Sequence, residues 1–393
     1  MAGLSKVIIN IAGGGLGRRA PNNDKISGLL FFNTNLPSGF SSTDRVKKVY
    51  TLEEAEALGI AEDSVNHNFE HYHISEYFRI HPEGELWIGI FAVPAGAYDF
   101  TEITTMVNIA QGEIRQLGVC ANALTYVNTQ AATINAVVAL LDAEGKRLSV
   151  LYMANITATA DITTLADTRA QDSEKVTVVI AEDGGGRGAA MAAALATSVS
   201  AIGAAIGATS RARVSESIGN PANFNMSNGV ELEVPAYANG QLVSAISTSA
   251  QGALKDKGYL ILRKYLPKLN GTFFERCPTA TLVTSDFAWM EYNRVIDKAI
   301  RLVDSVLTPQ LNATLLLNDD GTLQDDTIGY FEDLCKGQLN AMENDGDISA
   351  SQVLIDPDQD VLATSNLTVT IKVLPLGIAE FITVNIGFTT SIS

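Results

Sequence analysis

Alternation of apolar and polar positions is clearest at the end of the chain. In residues 367–374, Leu367, Val369, Ile371 and Val373 share one parity, and Thr368, Thr370 and Lys372 take the other. In 378–388, Ile378, Ile382, Val384, Ile386 and Phe388 share a parity with Thr383 and Asn385 opposite, and Phe381 adds a further large apolar group. Pro375-Leu376-Gly377 separates the runs. The pattern predicts two strands about a turn, the last of which needs a partner in its own sheet or in a neighbouring copy. Near the other end, 6–11 (Lys-Val-Ile-Ile-Asn-Ile) also reads as a strand, and Gly13, Gly14, Gly15 and Gly17 behind it read as a flexible joint.

Between the ends the pattern is α/β. An apolar run covers 26–34. Residues 51–58 read as a short helix, with Thr51 and Glu54 as a capping box and Gly59 as its stop. Residues 72–80 alternate like a strand and lead into a second apolar run at 86–93. A helix over 129–144, stopped by Gly145, lies between strands at 114–123 and 148–154, which predicts a parallel β-α-β unit. A strand at 176–181 then runs through a glycine-rich turn into the charge-free stretch 188–208. That stretch is long enough to span a bilayer and carries Gly203-x-x-x-Gly207, but it is built from Ala, Gly, Ser and Thr, so a small-residue helix packed in a core is preferred. A helix from 286 to about 307, capped by Ser285, has Tyr292, Val295, Ile296, Ala299, Val303 and Val306 as its core stripe. Arg294, Lys298 and Arg301 form a basic line beside it, with Asp297 placed to pair Arg301.

Composition narrows the function classes. The 393 residues are 46% hydrophobic and 18% charged, with a net charge of -17, which speaks for folded domains and against nucleic acid as a general partner. Cys120, Cys277 and Cys335 are odd in number and widely spaced, as buried thiols in a reducing compartment would be. The first residues lack the basic-then-apolar pattern of a secretory signal.

Candidate chemistry is sparse. His67 and His71 are four apart, but Asn68 breaks the H-E-x-x-H pattern, so surface or strand-edge histidines are expected at His67, His71, His73 and His81, with no metal. Gly184-x-Gly186-x-x-Ala189 satisfies a loose dinucleotide fingerprint between a strand and a helix, without the later acidic residue such sites use. The earlier glycine run fails the pattern at Arg18. The acidic turns at 318–321 and 356–360 lack the other calcium-loop positions. No cofactor is expected.

Several stretches carry a family resemblance. They are 258–265 (Gly-Tyr-Leu-Ile-Leu-Arg-Lys-Tyr), 269–274 (Leu-Asn-Gly-Thr-Phe-Phe), 277–281 (Cys-Pro-Thr-Ala-Thr), 284–299 with its Thr-Ser-Asp start, and Gly346-Asp347-Ile348-Ser349. In this order, ahead of the terminal strand pair, they resemble the C-terminal region of contractile-tail sheath proteins of bacteriophages and related injection machines. Thr51-Leu-Glu-Glu-Ala, the 119–152 unit and 217–223 (Ser-Ile-Gly-Asn-Pro-Ala-Asn) are similar to earlier parts of that family.

The resemblance implies a non-enzymatic, mixed α/β or α+β chain. It would have an N-terminal arm and hinge at 1–20, an outer α/β region at 21–240, an inner sheath domain at 241–374 and a C-terminal arm at 375–393. It further implies strand exchange through Val7, Ile8, Ile9, Ile11, Ile378, Phe381, Ile382, Val384, Ile386 and Phe388, with Gly13, Gly14, Gly15 and Gly17 as hinge. Arg294, Lys298 and Arg301 would face an acidic inner tube. The implied partners are other copies in stacked hexameric rings, an inner tail tube protein, a baseplate and a tail terminator, with no nucleic acid and no membrane insertion. The implied location is the virion tail, assembled in a bacterial cytoplasm. A nucleotide-binding α/β enzyme using 183–189, and another virion assembly protein, are the alternatives.

Overall fold

The computed structural model describes residues 23–388; the expected strand at Val7, Ile8, Ile9 and Ile11 and the glycine joint at 13–17 lie outside the described residues. The chain is mixed α/β. It opens with β1 (Ser27–Phe32), β2 (Val46–Val49), α1 (Leu52–Ala57), α2 (Asn68–Ile80) and β3 (Leu86–Phe91). Then follow α3 (Glu102–Ile109), β4 (Gln116–Cys120), α4 (Thr129–Ala143), β5 (Ser149–Met153), β6 (Val176–Val179), β7 (Ala181–Asp183), α5 (Arg187–Leu195) and α6 (Ile202–Arg211). After β8 (Pro235–Tyr237), α7 (Thr248–Asp256) and β9 (Tyr259–Leu260) comes an antiparallel pair, β10 (Leu262–Tyr265) and β11 (Leu269–Phe274). The last part is α8 (Met290–Leu307), α9 (Asp325–Asn344), β12 (Ile348–Ile355), α10 (Val361–Thr364) and β13 (Val369–Pro375).

A strand apolar on both parities must be covered on both faces. In β1, Leu29 and Phe31 enter one core and Leu30 and Phe32 the other. The sheet runs β2-β3-β1-β4-β5-β6-β9, parallel throughout except for β2 at its edge. Helices α2 and α6 cover one face, α3 and α4 the other. The expected unit β4-α4-β5 is present and parallel. The sheet continues past residue 240: Tyr259 and Leu260 pair with Val178 and Val179 and close the edge that β6 would otherwise leave open. The capping box of α1 is formed, with Thr51 Oγ1 accepting from Glu54 N at 3.2 Å, although the Glu54 carboxylate reaches the amide of Tyr50 instead of Thr51.

Four expectations are corrected. Residues 72–80 form the helix α2, not a strand, and nearly all of its residues are buried. A helix buried all round has no polar stripe, so its periodicity is hidden. The four histidines are accordingly buried and not at the surface. The stretch 188–208 is two helices, broken where Ala196 adopts φ 51°. Only α6 is wholly buried, and no described helix is long and apolar enough to cross a membrane. Finally, the helix expected from 286 begins at Met290; Ser285 Oγ accepts from Phe287 N in a turn and caps nothing.

The Gly203-x-x-x-Gly207 pair lets α6 lie against α2 backbone to backbone. A Cβ on Gly203 would stand 2.3 Å from the carbonyl oxygen of His73, and one on Gly207 2.8 Å from that of Tyr77. Gly203→Val is expected to destabilise the fold by about 3 kcal/mol or more. Gly252→Ala, at an α7 position with open space around it, is expected to stabilise by about 0.5–1 kcal/mol. Urea unfolding of both variants checks the contrast; a tolerated valine would mean that the two helices do not touch.

Candidate assembly interface

The sites with enzymatic or metal-binding patterns are occupied by the chain's own groups. In the glycine-rich loop, Gly185 N and Gly186 N donate to Asp183 Oδ1 at 3.1 and 3.0 Å, and Arg187 N donates to Glu231 Oε2 at 3.0 Å. The amides that would cradle a phosphate already hold two carboxylates, and a Cβ on Gly186 would stand 2.3 Å from Asp183 Oδ2. Arg187 Nε donates to Glu231 Oε1 at 2.7 Å, so the one cation of the loop is also engaged. Burial raises the carboxyls here: Asp183 against the pull of the Gly186 and Gly185 amides, and neighbouring Glu182 to about 7.

Two of the histidines have polar partners within the chain. His71 Nε2 meets Glu56 Oε1 at 2.9 Å, and His81 Nδ1 meets Ser210 Oγ at 2.9 Å. His73 lies among Phe31, Phe69 and Tyr72, and burial pushes its pKa down to about 3, which keeps it neutral. Among the described residues no group of three or more His, Cys, Asp or Glu could hold a metal.

The basic line of α8 points into the chain. Arg294 is buried and donates to the carbonyls of Arg213 and Ala212 at 3.0 and 3.3 Å. Lys298 pairs with Asp347 at 2.6 Å and Asp24 at 3.1 Å, and Arg301 pairs with Asp24. Asp297 does not pair Arg301; it takes Lys175 at 2.7 Å. Residues 286–393 hold seventeen carboxylate residues against five Lys and Arg, and three of those five are this line. The outward face of the last part is therefore strongly anionic, the opposite of the tube-facing basic surface expected for Arg294, Lys298 and Arg301.

What this part offers a partner is an unfinished sheet. β12 and β13 form a two-stranded antiparallel ribbon, with Val353 opposite Ile371 and Ile355 opposite Val369. Val295, Ala299, Leu339 and Met342 of α8 and α9 pack under Val353, Ile371 and Val373. A bulge at Ser349 shifts the parity of β12, so that Ile348 still reaches the same core as Val353. Among the described residues neither outer edge of the ribbon is paired. The partner of 369–375 is thus β12, and of the two partners open to 378–388, its own sheet or a neighbouring copy, the described residues do not show the first. Residues 376–388 have no regular structure, and their large apolar side chains face solvent, Phe381 at 87% and Ile386 at 92% exposure. Ile382, Val384 and Phe388 are exposed with them, and Ile378 is half-buried.

An apolar, alternating, unpaired segment and an open-edged ribbon thus lie on the same chain. β12 was not apparent from the sequence, where its signal is the short run Val353-Leu354-Ile355 before an Asp-Pro turn.

The fold itself is shared with subunits of contractile machines. A chain in the cryo-EM structure of the anti-feeding prophage baseplate matches with a TM-score of 0.62 at 13% identity, over 100% of both chains. A chain in the contracted sheath complex of the extracellular contractile injection system PVC matches with a TM-score of 0.58 at 11% identity, over 100% of this chain and 98% of the other. No curated protein matches the sequence. The chain belongs to the DUF2586 family, whose N-terminal domain matches residues 4–277 and whose C-terminal domain matches 286–393.

The buried carboxyl beside the glycine loop gives a pH test of this packing. Glu182 is raised from 4.5 to about 7, so the folded chain holds its proton more tightly than the unfolded chain. Its favourable contribution is complete below pH 4.5 and is lost as pH rises through 7, about 3 kcal/mol in all. Glu182→Gln is expected to remove that part of the pH slope and to be more stable than the parent at pH 8. Urea unfolding at pH 5 and pH 8 measures this; equal slopes in both proteins would show that Glu182 is ionised throughout.

Proposed function

We propose that this chain is the structural subunit of a contractile sheath. Copies polymerise as stacked six-fold rings around an inner tube, and shortening of the lattice drives the tube through a target envelope. The observation that carries the reading is the pairing of an open-edged ribbon, β12–β13, with an exposed strand-patterned segment, 378–388, on one subunit. In a lattice, the segment of one copy extends the ribbon of the next by backbone hydrogen bonds, and alternate side chains fix the register. The whole-length likeness to a chain of a contracted sheath complex supports this reading. Val7, Ile8, Ile9 and Ile11, with the glycines 13–17 as a joint, are proposed as the second exchanged strand.

The work is mechanical and needs no cofactor, because the energy lies in the difference between two packings of one interface. The tube, a baseplate and a tail terminator are the partners this role requires, in the tail of a virion or virion-like particle assembled in a bacterial cytoplasm. The tube surface that meets the anionic last part is expected to carry cations. A second reading, a sheath-fold subunit within the baseplate, is favoured by the likeness to the anti-feeding prophage baseplate chain. The nucleotide-enzyme alternative loses its support with the loop amides occupied.

Electron microscopy of concentrated protein separates the readings: striated tubes of open length mark a sheath, closed single rings a baseplate subunit, and monodisperse particles that melt later with nucleotide an enzyme. Deleting residues 378–393 is expected to leave soluble, folded subunits that no longer polymerise; normal tubes from the truncated chain would sink the strand-exchange assignment.

A further inference from the structure

Two carboxylates, one near the start of the described residues and one in the segment after β13, each lie between two cations. Asp24, at the beginning of the described chain, accepts from Arg301 Nη2 and lies 3.1 Å from Lys298 Nζ. Burial raises its carboxyl, but the Lys298 and Arg301 charges and hydrogen bonds outweigh that and hold it below the usual range. Glu380 follows the end of β13 by five residues. It pairs with Lys255 Nζ, and its second oxygen is 3.6 Å from Arg276 Nη1.

The Glu380 receptor is built from fixed groups. Arg276 is nine-tenths buried, lies 4.1 Å from the Trp289 ring centre and donates from Nε to Glu291 Oε1 at 2.5 Å, while its buried Nη2 has no partner. Lys255 stands over the rings of both Trp289 and Phe381 and also faces Glu275 at 3.5 Å. Both receptors hang on one helix: Trp289 and Glu291 open α8, and Lys298 and Arg301 follow about 15 Å along it. On the apolar parity of the last segment, Glu380 is the polar interruption between Ile378 and Ile382.

We propose that Asp24 and Glu380 are cis anchors: each clips the root of a terminal segment to the chain's own α8 region, so that exchange with neighbours begins before residue 23 and after Glu380. This rests on the strand-exchange reading and sharpens it, because it divides 375–393 into a root that stays home and an arm from Phe381 that leaves. A clipped root fixes the point from which the arm reaches its neighbour and raises its effective concentration there. It also lets a pull on the arm reach the rigid body of the subunit. Charge-assisted pairs with half-buried cations suit such a joint better than apolar contacts, since direction as well as contact is specified.

Carbodiimide tests both clips without altering the sequence. It activates a carboxylate, the amine of a touching lysine displaces the urea, and an amide forms with net loss of water. In the free subunit, Lys255–Glu380 and Lys298–Asp24 crosslinks are expected by mass spectrometry; absence of either would overturn its clip. Assemblies grown from equal parts of normal and 15N-labelled subunits then distinguish cis from trans. Unmixed peptide pairs at Lys255–Glu380 support the anchor, whereas mixed light–heavy pairs would show that Glu380 itself is exchanged and overturn it. Glu380→Gln is expected to raise the protein concentration needed for assembly about tenfold, and the swap Lys255→Glu with Glu380→Lys to recover most of it; no change in either would overturn the anchor role. Deleting 381–393 keeps the clip and removes the arm: assembly by that chain would refute strand exchange while the cis crosslink persisted.

Discussion

Helix α8 is buried on both of its faces, and this couples the two parts of the subunit. Its apolar side packs on α9 and the β12–β13 ribbon through Val295, Ala299 and Val303. Its polar side is pressed against the sheet-forming part. There Asn293 donates to the carbonyl of Glu174, Arg294 to those of Arg213 and Ala212, and Asp297 receives Lys175. Charges taken out of water are costly when left alone, and removing one partner of such a pair typically costs about 3–5 kcal/mol. Set against a whole-fold stability of about 5–15 kcal/mol, any sliding of α8 over the sheet that unpaired two of these groups would consume most of the fold. These contacts bind the ribbon part and the sheet-forming part together through α8.

The same helix explains why its basic line does not serve a partner. An i, i+4, i+7 spacing shows that Arg294, Lys298 and Arg301 share a face. It does not show what lies opposite. The opposing groups come from residues 24, 212, 213 and 347, distant in sequence and assembled only by the fold. With the line turned inward, the last part presents Lys336 and Lys372 against a large excess of Asp and Glu, and the surface it shows to other molecules is anionic.

Much of the sheet was legible because its signals are local. β4-α4-β5 has apolar strands, a glycine stop and the right spacing, and Thr51 caps α1 by a contact three residues long. The readings that changed depended on long-range burial. In α2, burial on every side removed the polar stripe that marks a helix, so Tyr72, Ile74 and the residues after them looked like an alternating strand. The glycine loop matched a phosphate fingerprint because the sequence shows the glycines and not Glu231, which fills the site from 44 residues away. The alternation of 378–388 is strand-like in pattern only: those residues have no regular structure on this chain, since a strand pattern states a need and not an address. Glu380 was the overlooked signal, a charge placed where the apolar parity called for another isoleucine.

For the strand exchange proposed above, magnitudes show why one contact between two copies is weak. Burying Phe381, Ile382, Val384, Ile386 and Phe388 at about 2 kcal/mol each gives roughly 10 kcal/mol of apolar gain. Ordering the eight residues from 381 to 388 costs about 1–2 kcal/mol each in backbone freedom, a sum of the same size. A single arm meeting a single ribbon would then be close to balance, and pairs of copies would come apart. What shifts the balance is repetition. Each subunit held by its own arm and receiving another's pays the positional entropy once for several contacts, and a root clipped beside α8 lowers the ordering cost of the arm that follows. In the proposed exchange, the weakness of one contact and the strength of many are then the same physical fact.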